Sequence, residues 1–358
     1  MGTMSYRKSV CSWFCRHRNK FIGAGVVVGG VIGGLKYAEY KVKTFIDEQN
    51  SKMAEEMKKQ SSFENAQTHC ASIIFPIMKT YEAMISSSAD IDGLKLQLKE
   101  KTGNKVDIWN QLKHCIFTKL CSSLLWVIVI VIIVKVQFNQ VAGIIYNNRS
   151  ADVNAEIGNA VDEDQQIFLS LSQTIIIAND SAKLSNFIEQ CVADITKTMP
   201  LQCPVDSSTL ETTLHSVFHN FQNSFPDIDN GMMLELLNSC FPPSLFDGSY
   251  PNEVVQTWAT KTIDIIDSPD CEAVFVDCLH MGLDFIKNEL HSLIDTGSTD
   301  NNMVFNANTI PLAKSLPIIN NVSDEIFSKQ FIENLLSCPT LHEFSANVFE
   351  SFLVQSKS

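Results

Sequence analysis

Two chargeless apolar runs interrupt a chain whose hydrophobic and polar positions otherwise alternate at helical spacing. The first is FIGAGVVVGGVIGGL, residues 21–35, set between Arg16, Arg18 and Lys20 on one side and Lys36 on the other. As a helix it rises about 22 Å, at about 1.5 Å per residue, against a hydrocarbon core of about 30 Å. Lysines at both ends make up the deficit, because their stems are apolar and only the ammonium needs water. The rival reading is a cleaved secretory signal, whose basic and apolar parts look alike. The run passes into Lys36-Tyr37-Ala38-Glu39 without a small-x-small cleavage site, which favours a retained anchor over residues 21–36. Gly25, Gly29 and Gly33 fall on one side of it. They either admit a second transmembrane helix closely or reflect only how common glycine is in such helices.

Beyond the anchor, residues 37–60 predict a charged helix with a thin apolar edge at Tyr40, Val42, Phe45 and Ile46, a solvated stalk. From residue 61 the pattern thickens: Phe63, Cys70, Ile73, Ile74, Ile77, Met78 and Tyr81 recur at helical spacing, with Pro76 expected to kink the helix or open one of its turns. Residues 86–93, SSSADIDG, predict a loop with Asp90 or Asp92 as the next N-cap. A short helix through Leu94 and Leu98 stops at Gly103. Asn104 is the next N-cap, with Asp107 in capping-box register, and the helix it opens carries Ile108, Trp109, Leu112, Ile116 and Leu120 on one face.

The second apolar run, LCSSLLWVIVIVIIV at 120–134, is closed by Lys119 and Lys135. A buried central helix, a second membrane span and a buried strand all fit it, and its neighbours favour the first. An acidic loop is expected over 147–165. Apolar periodic stretches follow near 166–200, 208–222, 231–240, 252–267, 272–294, 310–319 and 324–353, with turns at Pro204, Pro226, Pro242-Pro243, Pro251, Pro269 and Gly297. Strand-like alternation is scarce and no repeat of 20–50 residues is apparent, so the fold class is all-α.

Charge divides the chain. The net charge is −13, yet residues 1–60 carry 11 Lys and Arg against 5 Asp and Glu, leaving −19 on the remainder. The basic end suits anionic lipid headgroups. The acidic remainder excludes a nucleic-acid binder, which needs clustered cations. Eleven scattered cysteines with no CxxC predict free thiols in a reducing compartment, and hence a cytosolic bulk, despite sequons at Asn148, Asn179 and Asn321. Cys11 and Cys15, beside the anchor, are candidates for palmitoylation or remain unmodified.

Enzyme signatures are missing: there is no GxSxG, Walker loop or HExxH. His215 and His219 stand at i, i+4, but Cys203 is the sole nearby thiol upstream, one ligand short of a zinc finger. The pair reads as two helix-surface histidines, and Cys271 and Cys278 as small core residues. No cofactor and no metal are expected. Trp109 has two readings. It is either a core tryptophan or, with Lys99, Lys101 and Lys105 close by, an exposed anchor in a groove that takes a partner's amphipathic helix.

The basic and then Gly-rich N-terminus, SSFENAQTHC (61–70), NKVDIWNQLK (104–113), KVQFNQVAGIIY (135–146), IPLAKSLPIIN (310–320) and FSANVFESF (344–352) resemble the peroxin-3 family, in the family's order over nearly the whole chain. The middle, roughly 150–265, matches in helical character alone. The resemblance implies a basic segment at 1–20, an anchor at 21–36, a stalk at 37–60 and a cytosolic helical-bundle domain at 61–358, with 120–134 as a buried core helix. It implies a single-pass protein of the peroxisomal membrane with its N-terminus in the lumen. The positive-inside rule would put a basic N-terminus in the cytosol, but five Lys and Arg before the run against four in residues 36–52 is too small a bias to decide. It also implies a groove for a helix near the N-terminus of peroxin-19, through which newly made membrane proteins are recruited. Carried over by position, Trp109 is the central docking residue, Lys105, Leu98 and Leu112 are its neighbours, and Asn139 and Ile145 are further contacts. The chain departs from the family at Lys95, where a smaller residue is usual. A structural tether joining the organelle to other proteins is the alternative function.

Overall fold

The computed structural model describes residues 32–101, 103–151, 163–177, 181–223, 244, 250–296 and 309–353. The expected anchor, apart from its C-terminal end, lies outside them, as do Cys11, Cys15, most of the acidic 147–165 segment and the apolar stretch 231–240. The chain falls into two units, residues 1–58 and 59–358. In the first, every side chain from Ser51 to Lys58 is exposed, and a Lys52–Glu48 ion pair of 2.7 Å lies along the helix surface.

Helix α1 spans Ile32–Ser88 and contains Pro76. The helix continues beyond that proline, where sequence alone allowed a kink. The loop expected at 86–93 shrinks to Ala89 and Asp90. Asp90 is the N-cap of α2, Ile91–Glu100, its carboxylate accepting the Gly93 N–H at 3.2 Å. Lys101, in the left-handed region at φ 56°, closes α2, and Gly103 follows at φ 88°. The Asn104 side chain accepts the Val106 N–H at 3.1 Å and opens α3, Lys105–Ala151. Both caps stand where polar side chains satisfy otherwise orphaned first-turn donors.

The 47 residues of α3 make a rod of about 70 Å. Every residue from Lys119 to Gly143 is buried. This helix alone among those described is long and apolar enough to cross a membrane, and 94% of its most apolar window lies inside the protein. The second apolar run is therefore a core helix. The polar triplet Gln137, Asn139 and Gln140 does not break it. Gln140 donates to the Trp258 carbonyl at 3.0 Å and accepts from the Thr262 hydroxyl at 2.8 Å.

Amphipathic helices wall this rod. They are α4 (Glu163–Ile177), α5 (Ser181–Thr196), α7 (Glu253–Ile266), α8 (Pro269–Thr296), α9 (Leu312–Glu325), α10 (Lys329–Leu336) and α11 (Pro339–Ser351), with α2 at its N-terminal end. Helix α6, Ser207–Asn223, forms an outer layer on α5 and α8. The expected turn at Pro204 is instead a two-residue strand, β1, Pro204–Val205, antiparallel to β2, Ile310–Pro311. The stretch read as continuous over 324–353 divides into the end of α9, then α10 and α11, with Ser328 and Cys338 at the N-caps. Two glycines allow close approach to α3. A Cβ on Gly282 would meet Leu124 at 2.3 Å, and one on Gly143 would meet Phe352 at 2.7 Å and the Phe349 carbonyl at 2.9 Å.

Three lysines of α3 are buried with it. Lys113 donates to the Thr196 and Met199 carbonyls, both at 2.7 Å, and caps the end of α5. Lys119 reaches Asp324 at 2.6 Å and Asn320 at 3.3 Å on α9. Lys135, 3% exposed, donates to the Gln67 side-chain carbonyl of α1, while the Gln67 amide donates to Asn139 at 2.7 Å. Burial pushes the Lys135 ammonium below the ordinary lysine range, opposed by the nearby thiols of Cys70 and Cys278. The described cysteines are free, and burial pushes the thiols of Cys70 and Cys271 up to about 12.

Lys135 is held by a neutral acceptor, so its charge is a cost the core carries. Lys135→Met is expected to leave stability unchanged or raise it by about 1–4 kcal/mol, whereas Gln67→Leu, which strips the ammonium of its acceptor, costs about 3–5 kcal/mol. Because the folded value lies below the unfolded one, the unfolded chain binds more protons between the two, and stability rises with pH across that window. The difference between wild type and Lys135→Met therefore narrows as pH rises towards the ordinary lysine range, measurable by denaturant titration at several pH values.

Candidate functional site

The corner where α2 meets the first turns of α3 carries the residues expected to act. Ile108 and Leu112 are buried at 5% and 4% exposure and form its floor. Trp109 and Leu98 are half-buried and pack against the core. Trp109 thus falls between its two sequence readings, packed against the core yet partly exposed. Val106, three residues before Trp109 on the same helix, lies beside it at 59% exposure, and Leu96 of α2 is 54% exposed. Sequence reasoning missed these two, although a signal existed: each is an apolar residue off the stripe its helix buries, Ile91 and Leu94 on α2, and Ile108 and Leu112 on α3.

Lys95, Lys99, Lys101 and Lys105 are all exposed on this corner. Lys95 pairs with Asp92 at 3.1 Å. Among the described residues Lys99, Lys101 and Lys105 have no ion-pair partner. Lys105 occupies the first turn of α3, where a cation opposes the helix dipole at a cost of about 0.3–1 kcal/mol. One turn beyond Trp109, Lys113 points inward and holds the end of α5. His114 bridges to Glu189 of α5 at 3.3 Å, so α5 is tied to the segment of α3 that carries the tryptophan.

The other two expected site residues are elsewhere. Asn139 is fully buried, donates to the Lys135 carbonyl at 2.7 Å and accepts from Gln67. It lies about 45 Å along α3 from Trp109, and half-buried Ile145 about 54 Å. The structure brings Leu98, Lys105, Trp109 and Leu112 to one corner and leaves Asn139 and Ile145 at the far end of the rod.

Two surface cavities lie away from Trp109. One of about 500 Å³ is lined by Thr198, Cys203, Ser208, Thr209, Thr212 and Thr213 among others, but its threonine hydroxyls are engaged: Thr198 donates to the Ile195 carbonyl at 2.8 Å, Thr212 to the Ser208 carbonyl at 2.9 Å and Thr213 to that of Thr209 at 2.8 Å. The Thr209 hydroxyl and N–H both donate to Asp206 and hold its carboxyl below the usual range. A second cavity, of about 380 Å³, takes His215, His219 and His280 into its lining. No group of three or more ligating side chains able to hold a metal ion occurs among the described residues.

The fold is a helical bundle built around one buried rod, with an exposed, lysine-ringed corner at the rod's N-terminal end. The sequence model of the Peroxin-3 family matches residues 141–351, and the chain belongs to that family, which works in peroxisome biogenesis. It is similar to peroxisomal biogenesis factor 3 of Mus musculus, 24% identical over 365 residues that cover 96% of this chain and 97% of the mouse protein. The human protein of the same name is 24% identical over 373 residues and that of Bos taurus 25% identical over 366, each with the same coverage of both chains.

The half-buried setting of Trp109 predicts a graded stability effect. Trp109→Ala is expected to cost about 1–3 kcal/mol, whereas Trp126→Ala, in the middle of the rod at 1% exposure, costs about 3–5 kcal/mol. Thermal and denaturant melts of the two variants provide the comparison.

Proposed function

We propose that the Trp109 corner docks an amphipathic helix near the N-terminus of peroxin-19, and that the chain thereby recruits newly made membrane proteins to the peroxisomal membrane. The observation that carries this reading is the combination of half-buried Trp109 and Leu98, exposed Val106, and, among the described residues, three cations without ion-pair partners on a protein of net charge −13. The apolar face of a partner helix covers the aromatic and aliphatic surface, and acidic residues on its rim meet Lys99, Lys101 and Lys105. Leu112 acts from below, as the floor that seats Trp109. A single helix docked on Trp109 does not reach Asn139 or Ile145, so we leave both out of the contact.

Residues 21–36 hold the complex at the bilayer as a single span among membrane lipids, residues 1–20 and 37–60 flank it, and residues 61–358 work from the cytosol. Free thiols support that side, and the absence of recognisable catalytic motifs in the sequence supports binding over catalysis as the activity.

Trp109→Ala is expected to weaken binding of the peroxin-19 helix by about 2–4 kcal/mol, about 30- to 1000-fold. Lys105→Ala acts more mildly, with a deficit that shrinks as salt rises, and Ile145→Ala leaves affinity unchanged. Calorimetric titration with the peptide, on variants shown by melting to be folded, tests this. Normal binding by a folded Trp109→Ala variant removes the corner from the contact. Deleting residues 1–36 is expected to release a folded helical domain from membranes, and retention of that fragment after alkaline carbonate extraction overturns the single-span topology.

A further inference from the structure

Lys113 stands one turn after Trp109, on the same face of α3. Its side chain is buried at 4% exposure, and its ammonium donates to the carbonyls of Thr196 and Met199, both at 2.7 Å. Thr196 is the last residue of α5, and Met199 belongs to the turn that leads into β1. The last carbonyls of a helix have no partner within it, and a cation there meets the negative end of the helix dipole. Among the described residues no carboxylate pairs with Lys113. Burial pushes its ammonium below the ordinary lysine range, so the charge weighs against the fold, and a methionine would fill the same space without it. What the ammonium supplies beyond packing is two directed bonds from α3 to the end of α5.

The same turn is gripped from other elements. The Thr213 hydroxyl of α6 donates to the Met199 sulfur at 3.8 Å. The Leu201 and Cys203 carbonyls accept the N–H groups of Ala313 and Leu312 at 3.0 and 2.9 Å. These contacts join residues 199–203 to α6 and to the start of α9, and Lys113 supplies the grip from α3. Because Lys113 shares a face with Trp109, the turn it holds lies on the face that carries the tryptophan.

We propose that Lys113 is a positioning residue for helix docking, holding the α5–β1 turn on the Trp109 face of α3 as a preformed wall of the contact. The inference rests on the docking reading of the Trp109 corner. Buried as it is, Lys113 does not touch the partner. It acts by fixing the turn beforehand, so that the partner helix meets a surface whose ordering is already complete.

The test uses the full chain in detergent micelles and the peroxin-19 helix peptide. Lys113→Met is expected to weaken peptide binding about 2- to 30-fold, less than Trp109→Ala. Fluorotryptophan in place of the chain's four tryptophans reports where the variant acts. The fluorine resonance of Trp109, assigned through Trp109→Phe, is expected to shift while those of Trp126 and Trp258 stay in place. Movement of all three marks a general loss of packing and overturns a positioning role. Hydrogen exchange of the wild-type chain gives a reading that needs no variant: added peptide is expected to slow exchange of the amides at 197–203. Should Lys113→Met fail to fold, that measurement alone decides. Unchanged affinity in folded Lys113→Met beside a weakened Trp109→Ala overturns this inference and leaves the docking reading standing, as does exchange at 197–203 that the peptide does not slow. Unchanged affinity in both variants overturns the docking reading itself, and this inference with it.

Discussion

The burial of α3 is the constraint on which the other elements depend. Between Lys119 and Gly143 no side of this helix is left to water, so it cannot be a surface helix with one buried stripe. It must be enclosed, and enclosure needs a wall of amphipathic helices on every side. Lys119 and Lys135 show how the ends are fixed. Each sits at an edge of the apolar run, and each finds its acceptor on another element, Asp324 of α9 and Gln67 of α1. A buried ammonium without an acceptor is severely unfavourable, so these contacts set the position of α3 along its own axis as well as its surroundings.

Enclosing the middle of a long rod confines exposed surface on it to the ends. At the N-terminal end the rod emerges beside α2, and there Trp109 and Val106 reach solvent while Leu112 does not. Lys113 and His114 fasten α5 to the same turns, which places the tryptophan on a braced segment. The apolar corner therefore follows from where the wall of helices stops.

Local chemistry made much of this legible. Asp90 and Asn104 were readable as caps because short polar side chains before an apolar period satisfy first-turn donors, and the Ile108, Leu112, Ile116 and Leu120 face follows from spacing alone. Cys271 and Cys278 were readable as core residues from their apolar setting. What sequence reading missed depends on partners distant in the chain. The burial of Asn139 and Gln140 follows only once Gln67, Trp258 and Thr262 are in place to satisfy them. Lys119 and Lys135 read only as charges that close a run, and their burial follows from Asp324 and Gln67. The pairing of Pro204-Val205 with Ile310-Pro311 leaves no periodic trace, since two residues cannot show alternation. The corner was legible through Trp109 and its lysines, whereas Asn139 and Ile145 were placed by resemblance, and the length of one continuous helix separates them from it.

The long rod also has a consequence for biosynthesis. The run at 120–134 leaves the ribosome roughly 190 residues before Asp324, the acceptor that completes its N-terminal end. At about 5–20 residues per second that interval is on the order of 10–40 s. For that time a segment resembling a signal for membrane insertion is in the cytosol without its α9 and α11 wall. A nascent chain of this kind is a substrate for chaperones that shield apolar segments. A truncation removing α9 to α11 would therefore do more than shorten the protein: it would leave the segment permanently open to being mistaken for a second membrane span.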